Sequence, residues 1–371
     1  RGPARIPIHA LPGTVGFSRP AERPETASEN LQSRLITAMK KSLFVRLAWT
    51  ATAVAVVVVV LGAFVRLTDA GLGCPDWPGC YGHIGVPDTP QQIAAANAAY
   101  PQRPVEIEKA WYEMIHRYLA SGLGLVILIM AYQAWRHRDH PKQLVALPLI
   151  LVALVIAQGM LGMWTVTMLL KPAIVTAHLI GGMTTTALLW WVTLRQQQLW
   201  LGPAPKPTLP AGVLGLGVAI LALQIALGGW TSTNYAALAC PDFPTCHGQW
   251  LPMWDAANAF KVWHGLGVDY EGGILSNEAR VTIHAVHRLG ALVAFLYIGG
   301  LTLWVISRAK GAVRTAAGTV LVLLLIQVGL GISNIVYSLP LPVAVAHNGV
   351  ALLLLLAMVT LVHLGKPRAV A

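Results

Sequence analysis

Residues 43–67 read LFVRLAWTATAVAVVVVVLGAFVRL, and the only charges in the stretch are Arg46 and Arg66 near its two ends. A helix rising 1.5 Å per residue needs about 20 apolar residues to cross a hydrocarbon core of about 30 Å. The stretch therefore reads as a membrane span. Seven more segments meet the same criterion, at 110–135, 144–168, 172–194, 210–231, 281–306, 313–336 and 341–364.

Composition agrees. Of 371 residues, 56% are hydrophobic and 11% charged, against roughly 25% charged in soluble domains, so a water-soluble globule is excluded. The net charge is +11 and the pI about 9.8, but the basic residues stand singly or in pairs between apolar runs. They form no polybasic face, which argues against a nucleic-acid partner. The positive charge reads instead as a record of orientation. Lys40, Lys41, Arg46, Arg136, Arg138, Lys142, Arg195, Lys206, Arg308, Lys310, Arg314, Lys366 and Arg368 flank the spans on one side, which is expected to be cytoplasmic along with both termini. Apart from Glu22, Glu25 and Glu29 near the start of the chain, only Asp139 is acidic on that side. Loops 68–109 and 232–280 are the long external ones. Residues 1–38, rich in Pro, Arg and Glu, precede Met39-Lys40-Lys41 and are expected to be a disordered or non-native leader.

The halves repeat. Cys74-Pro75-Asp76-Trp77-Pro78-Gly79-Cys80 returns as Cys240-Pro241-Asp242-Phe243-Pro244-Thr245-Cys246, His116-Arg117 as His287-Arg288, and Ala177-His178 as Ala346-His347. Four spans per half place both halves in the membrane in the same sense, as a parallel repeat. The expected fold is an all-α integral membrane protein of two pseudo-symmetric four-helix bundles, 39–200 and 201–371. Gln158, Gln224 and Gln327 each stand four residues before a glycine, Gly162, Gly228 and Gly331, and these glycines read as close-packing positions.

His116, His178, His287 and His347 are each expected about six residues into an even-numbered span, roughly 9 Å below its outer end. Ionisable residues inside spans are costly and tend to face a functional interior. Two imidazoles per bundle suit the axial positions of a haem iron. Zinc or copper fits less well, because only His284 offers a third ligand near that depth, and covalent haem is excluded by the lack of Cys-x-x-Cys-His. Arg117 and Arg288 are candidates for haem propionates or for outer headgroups. Glu113 shares a helix face with His116, whereas the matching position in the second half is His284. That asymmetry suggests a catalytic first half and an electron-handling second half. A disulfide within each cysteine loop, Cys74–Cys80 and Cys240–Cys246, is the leading reading, with metal binding or thiol exchange as alternatives. His83 and His247 read as exposed loop residues.

Taken together, Glu113-x-x-His116-Arg117, His178, His287-Arg288, His347 and the two cysteine loops resemble haem A synthase, in a cysteine-bearing bacterial form, over about 39–364. The resemblance implies an oxidoreductase of the bacterial inner membrane that converts the C8 methyl group of haem O to a formyl group, through a hydroxymethyl stage, for cytochrome oxidase assembly. It implies that His116 and His178 hold the substrate haem, that Glu113 is the catalytic carboxylate, and that His287 and His347 ligate a resident haem B. Haem O synthase, the protohaem farnesyltransferase, would be the donor partner, alongside an unidentified electron partner and the lipid bilayer; a homo-oligomer is allowed. The competing readings are a di-haem electron-transfer cytochrome b and a haem transporter or chaperone.

Overall fold

The computed structural model describes Gly2 and residues 27–141, 143–201, 209–265 and 267–365. Among them regular structure is helical, apart from two isolated bridges, Cys80 with His83 and Cys246 with Gln249. The helices are α1 (Ala27–Leu67), α2 (Pro90–Ala99), α3 (Ile107–Arg136), α4 (Ala146–Thr167), α5 (Pro172–Leu201), α6 (Ala211–Thr233), α7 (Ala256–Ala259), α8 (Asn277–Arg308), α9 (Gly311–Val336) and α10 (Leu341–Gly365). Eight are long and apolar enough to cross a membrane: α1 from Leu43, α3, α4, α5 as far as Gln197, α6, α8, α9 and α10. The all-helical, eight-span reading of the sequence holds.

Two helix starts move earlier. α3 and α8 start at Ile107 and Asn277, ahead of the expected 110 and 281. Hydropathy stops counting at polar residues, but Glu108 and Glu278 in the first turns suit the positive end of the helix dipole, and the Ser276 side chain accepts from the Ala279 N–H. Of the expected leader, residues 1 and 3–26 lie outside the described residues, as do Lys142, Lys206, Lys366 and Arg368, while 27–38 are helical as the first part of α1.

Phe44–Ala371 form one compact unit, separate from Arg1–Leu43. Inside it the buried side chains gather into two main cores. One draws on α1, α3, α4 and α5; the other draws on α6, α8, α9 and α10 together with Met183 of α5. Two cores are consistent with a pair of four-helix bundles. In lipid there is no hydrophobic drive between helices, so small residues that let backbones approach do the packing. On α1, Phe44, Ala48, Ala51 and Ala55 recur at helical spacing and are all buried, whereas Val57 and Trp49 face outward.

The halves meet through α5, which packs on α6 and α10. Trp190 Nε1 donates to Thr360 Oγ1 at 2.8 Å, and the hydroxyls of Thr176 and Thr233 lie 3.2 Å apart. A Cβ on Gly229 would come within 2.9 Å of Leu179 Cδ2, so this glycine sets how closely α6 approaches α5. At the end that carries the cysteine loops, residues at matched repeat positions touch. Arg66 Nη2 donates to the carbonyl of Ser232 at 2.6 Å, and the Tyr235 hydroxyl donates to Asp69 Oδ1 at 3.4 Å, both pairs being 166 residues apart. Arg66 also pairs with Asp69 at 3.2 Å and lies over the Tyr235 ring. Arg103 forms ion pairs with Asp269 and Glu271, tying the first long loop to the second.

Replacing Trp190 with Phe removes one buried hydrogen bond between halves and is expected to cost about 0.5–1.5 kcal/mol. Thermal unfolding in nanodiscs checks this, and Thr360→Val should add nothing further once Trp190 is Phe.

Candidate functional site

Each of the four histidines faces a glycine on a neighbouring helix. A Cβ on Gly62 of α1 would stand 3.0 Å from His116 Cε1, on Gly162 of α4 3.5 Å from His178 Cε1, on Gly228 of α6 3.2 Å from His287 Cε1, and on Gly331 of α9 3.2 Å from His347 Cε1. The same seat thus occurs twice in each half, at matched positions of the repeat. Gly162, Gly228 and Gly331 are the packing glycines read from the sequence; Gly62 escaped notice because its helix has Val58 where the others have glutamine. Counted from the helix starts, His116 and His287 lie nine and ten residues in, and His178 and His347 six, so a uniform six-residue depth does not hold. The earlier starts of α3 and α8 account for the difference.

Within each half the two imidazoles lie within electrostatic reach of one another. Ring nitrogen Nδ1 of His116, of His178 and of His347 is buried with no hydrogen-bond partner among the described residues. Buried polar atoms are rarely left so, and an uncharged imidazole nitrogen is a ready metal ligand. The second half adds glutamine contacts that sequence reading missed. Gln224 Nε2 lies 3.1 Å from His287 Nδ1 and donates to the His287 carbonyl at 3.0 Å, while Gln327 Nε2 lies 3.3 Å from His347 Nε2. No group of three or more His, Cys, Asp or Glu gathers as a metal site among the described residues, which leaves pairs of histidines as the feature that repeats.

Both cysteine loops are closed by disulfides, Cys74–Cys80 and Cys240–Cys246, as the leading sequence reading had it. Each loop is folded around an aspartate. Asp76 accepts from the N–H groups of Tyr81 at 2.6 Å and Gly82 at 2.7 Å; Asp242 accepts from His247 at 2.6 Å, Gly248 at 2.9 Å and the Thr245 hydroxyl at 2.5 Å. Tyr81 and His247 take positive φ to present those N–H groups. His247 Nε2 also lies 2.9 Å from the Ala239 carbonyl, so this histidine belongs to the loop.

The loops are docked on the helices one turn from the histidines, and here the halves differ. In the first, Glu113 is 4% exposed; its Oε2 accepts from the Cys74 N–H at 2.9 Å and its Oε1 from Arg117 Nη2 at 2.6 Å. In the second, His284, also 4% exposed, takes the same place, its Nδ1 accepting from the Cys240 N–H at 3.3 Å. His284 is therefore the neutral counterpart of Glu113, a role that the sequence had not assigned. Arg117 Nη1 donates to the carbonyls of Asp76 at 3.0 Å and Gly79 at 2.6 Å; Arg288 donates to Thr245 at 2.8 Å and Cys240 at 2.7 Å. Both guanidinium groups thus clamp the loops, and of the two only Arg288 has a buried Nε without a partner among the described residues.

The chain matches the cytochrome oxidase assembly protein family over residues 45–359. A relative named heme A synthase in Shewanella oneidensis is 45% identical over 82% of this chain and 91% of its own length. The chain belongs to the haem A synthase family. Family members of the same name in Rhizorhabdus wittichii and Methylobacterium radiotolerans are 31% and 30% identical, covering 84% and 83% of the chain and 91% and 86% of their own lengths. The likeness thus covers all eight spans and both loops of this haem A synthase relative, in keeping with the resemblance carried by its histidines and cysteines.

The Asp242 carboxyl is held at about 2, below its ordinary 3.8, chiefly by the Thr245 hydroxyl and by the Gly248 N–H. A depressed folded-state value means that these bonds support the loop above the ordinary carboxylate range and are lost as pH falls toward 2. The rate at which a phosphine reduces Cys240–Cys246, divided by that of an unstructured peptide disulfide in the same solution so that protonation of the phosphine cancels, is expected to rise as pH drops from 5 to 2 when followed by mass spectrometry after alkylation. In Asp242→Asn it should be faster at pH 5 and flat over that range.

Proposed function

We propose that this protein is a haem A synthase, oxidising the C8 methyl group of haem O to a formyl group. The observation that carries the reading is the asymmetry beside two otherwise matched histidine pairs: a buried carboxylate, Glu113, one turn from His116, where the other half has an imidazole, His284. His116 and His178 hold the substrate haem. His287 and His347 hold a resident haem B, whose bound iron supplies one-electron redox chemistry. The glycine seats bring each ring against the neighbouring backbone and fix its plane, the orphaned Nδ1 atoms suit a ligated imidazole, and Gln327 would release His347 Nε2 on ligation.

What the chain's own groups do follows from their contacts. Arg117 and the Cys74 N–H hold the Glu113 carboxylate against the loop base, positioned to take or give a proton at the outer edge of the substrate site. The clamped loops exclude water from both sites, and Arg288 Nε is the free donor at which a propionate can be received. A farnesylated haem is an apolar amphiphile, so a site between spans suits it. The distribution of Lys and Arg supports a reading with the cysteine loops outside a bacterial inner membrane and both termini inside. Haem O synthase, whose product is that apolar substrate, would be the donor partner within the bilayer.

Pigments extracted after co-expression with a haem O source test the proposal. Wild type should yield haem A. Glu113→Ala should keep the b-type spectrum while the conversion falls by about 10²–10⁴-fold, the usual range for a lost proton-transfer group, with haem O accumulating. His287→Ala should lose the b-type signal. Wild type that leaves haem O unchanged would make the protein an electron-transfer cytochrome b or a haem carrier instead.

A further inference from the structure

We infer that Lys171 and Tyr270 form a binding site for a single oxyanion group, phosphate or carboxylate, at the seam between the two halves. Lys171 ends the α4–α5 turn. It is 3% exposed, and its Nζ has no hydrogen-bond partner. Tyr270 lies in the loop described over 267–273, is 2% exposed, and its hydroxyl makes no hydrogen bond of ordinary geometry, although the His264 backbone lies near it. Both line one cavity of about 70 Å³, closed by Thr167, Gly265, Gly267 and Val268. That volume accepts a headgroup-sized anion and no ring system. None of the four paired histidines, nor Glu113, lines it.

An ammonium with three donors and no acceptor is out of balance in a covered position. Its one close companion is the Trp263 ring, whose centroid is 2.9 Å from Nζ, and a ring face supplies no lone pair. Gly265, Gly267 and Val268 on its wall belong to loop segments and not to the interior of a bundle. The surroundings favour negative charge. Burial, and then the nearby Lys261 and Lys171, lower the pKa of the His264 imidazole, which marks both ammonium groups as close by. The nearest carboxylates along the loop, Asp269 and Glu271, are engaged by Arg103. The cavity walls are held from both sides, since the Tyr270 N–H donates to the Leu169 carbonyl at 3.1 Å. An anion bridging Lys171 Nζ and the Tyr270 hydroxyl would satisfy both orphaned groups at once and pin the second half's loop to the first half's turn. In the repeat Lys171 is matched by Pro340, so the site exists once.

The test is thermal unfolding of the purified, haem-loaded protein in phosphatidylcholine nanodiscs, in two arms: titration with inorganic phosphate, and replacement of part of the lipid by phosphatidylglycerol. Anything that binds only the folded state raises the melting temperature by mass action, so wild type should gain a few degrees, saturably in the phosphate arm. Lys171→Met should lose that gain, Lys171→Arg keep it, and Tyr270→Phe reduce it. A gain with phosphate identifies a free anion as a sufficient occupant; a gain with phosphatidylglycerol alone identifies the lipid headgroup. If neither arm raises wild type more than Lys171→Met, the proposal is overturned.

Discussion

Each of the four paired imidazoles stands where a neighbouring helix carries glycine in place of a side chain, an arrangement that this protein repeats four times. Gly62, Gly162, Gly228 and Gly331 each bring a backbone within contact of a histidine ring. Everything else in the site is arranged around those seats. A side chain larger than hydrogen at Gly62, Gly228 or Gly331 would press on the edge of the ring, so these positions hold the helices close to the histidines. The requirement is stricter in lipid than in water, because apolar side chains gain nothing by leaving one hydrocarbon environment for another. Packing there depends on close approach, and the buried alanines of α1 extend the same logic down the first bundle.

Above the seats, a second layer of polar contacts decides what each half can do. Two loops of nearly the same sequence dock on two helices that share a His-Arg pair, through an arginine and one acceptor for a cysteine N–H. Exchanging that acceptor from carboxylate to imidazole leaves the docking intact and changes the charge beside the histidines. One ion pair, Glu113 with Arg117, is then present in one half and absent from the other among the described residues. A duplicated scaffold thereby carries two different electrostatic settings without any change in backbone plan.

How much of this could be read from the sequence follows from the range of the physics involved. Span length and charge deficit are properties of contiguous residues, so eight helices were legible, with early starts at α3 and α8, where acidic first turns carry a helix past the end of its apolar run, and a late end at α5, which runs to Leu201 where 194 was expected. The cysteine pairs and the histidines stood out through repetition. The seat at Gly62 and the contact of His284 with the Cys240 N–H were not legible, because each depends on which elements face one another; the place of His284 opposite Glu113 in the repeat was, and for Gly62 only its matched spacing with Gly228 carried a trace. The loop carbonyls that occupy Arg117 and Arg288 were also invisible, since backbone acceptors leave no mark in composition.

Arg66 lies against the carbonyl of Ser232, its own counterpart in the second half, and Tyr235 against its counterpart Asp69. Two identical chains related by a rotation would put like against like at such a point, arginine facing arginine and aspartate facing aspartate. A single chain that contains both halves is free of that rule. At the line where its halves meet it can set a guanidinium against a carbonyl and a phenol against a carboxylate, converting a place of self-repulsion into a latch that works in only one sense and so distinguishes the first half from the second.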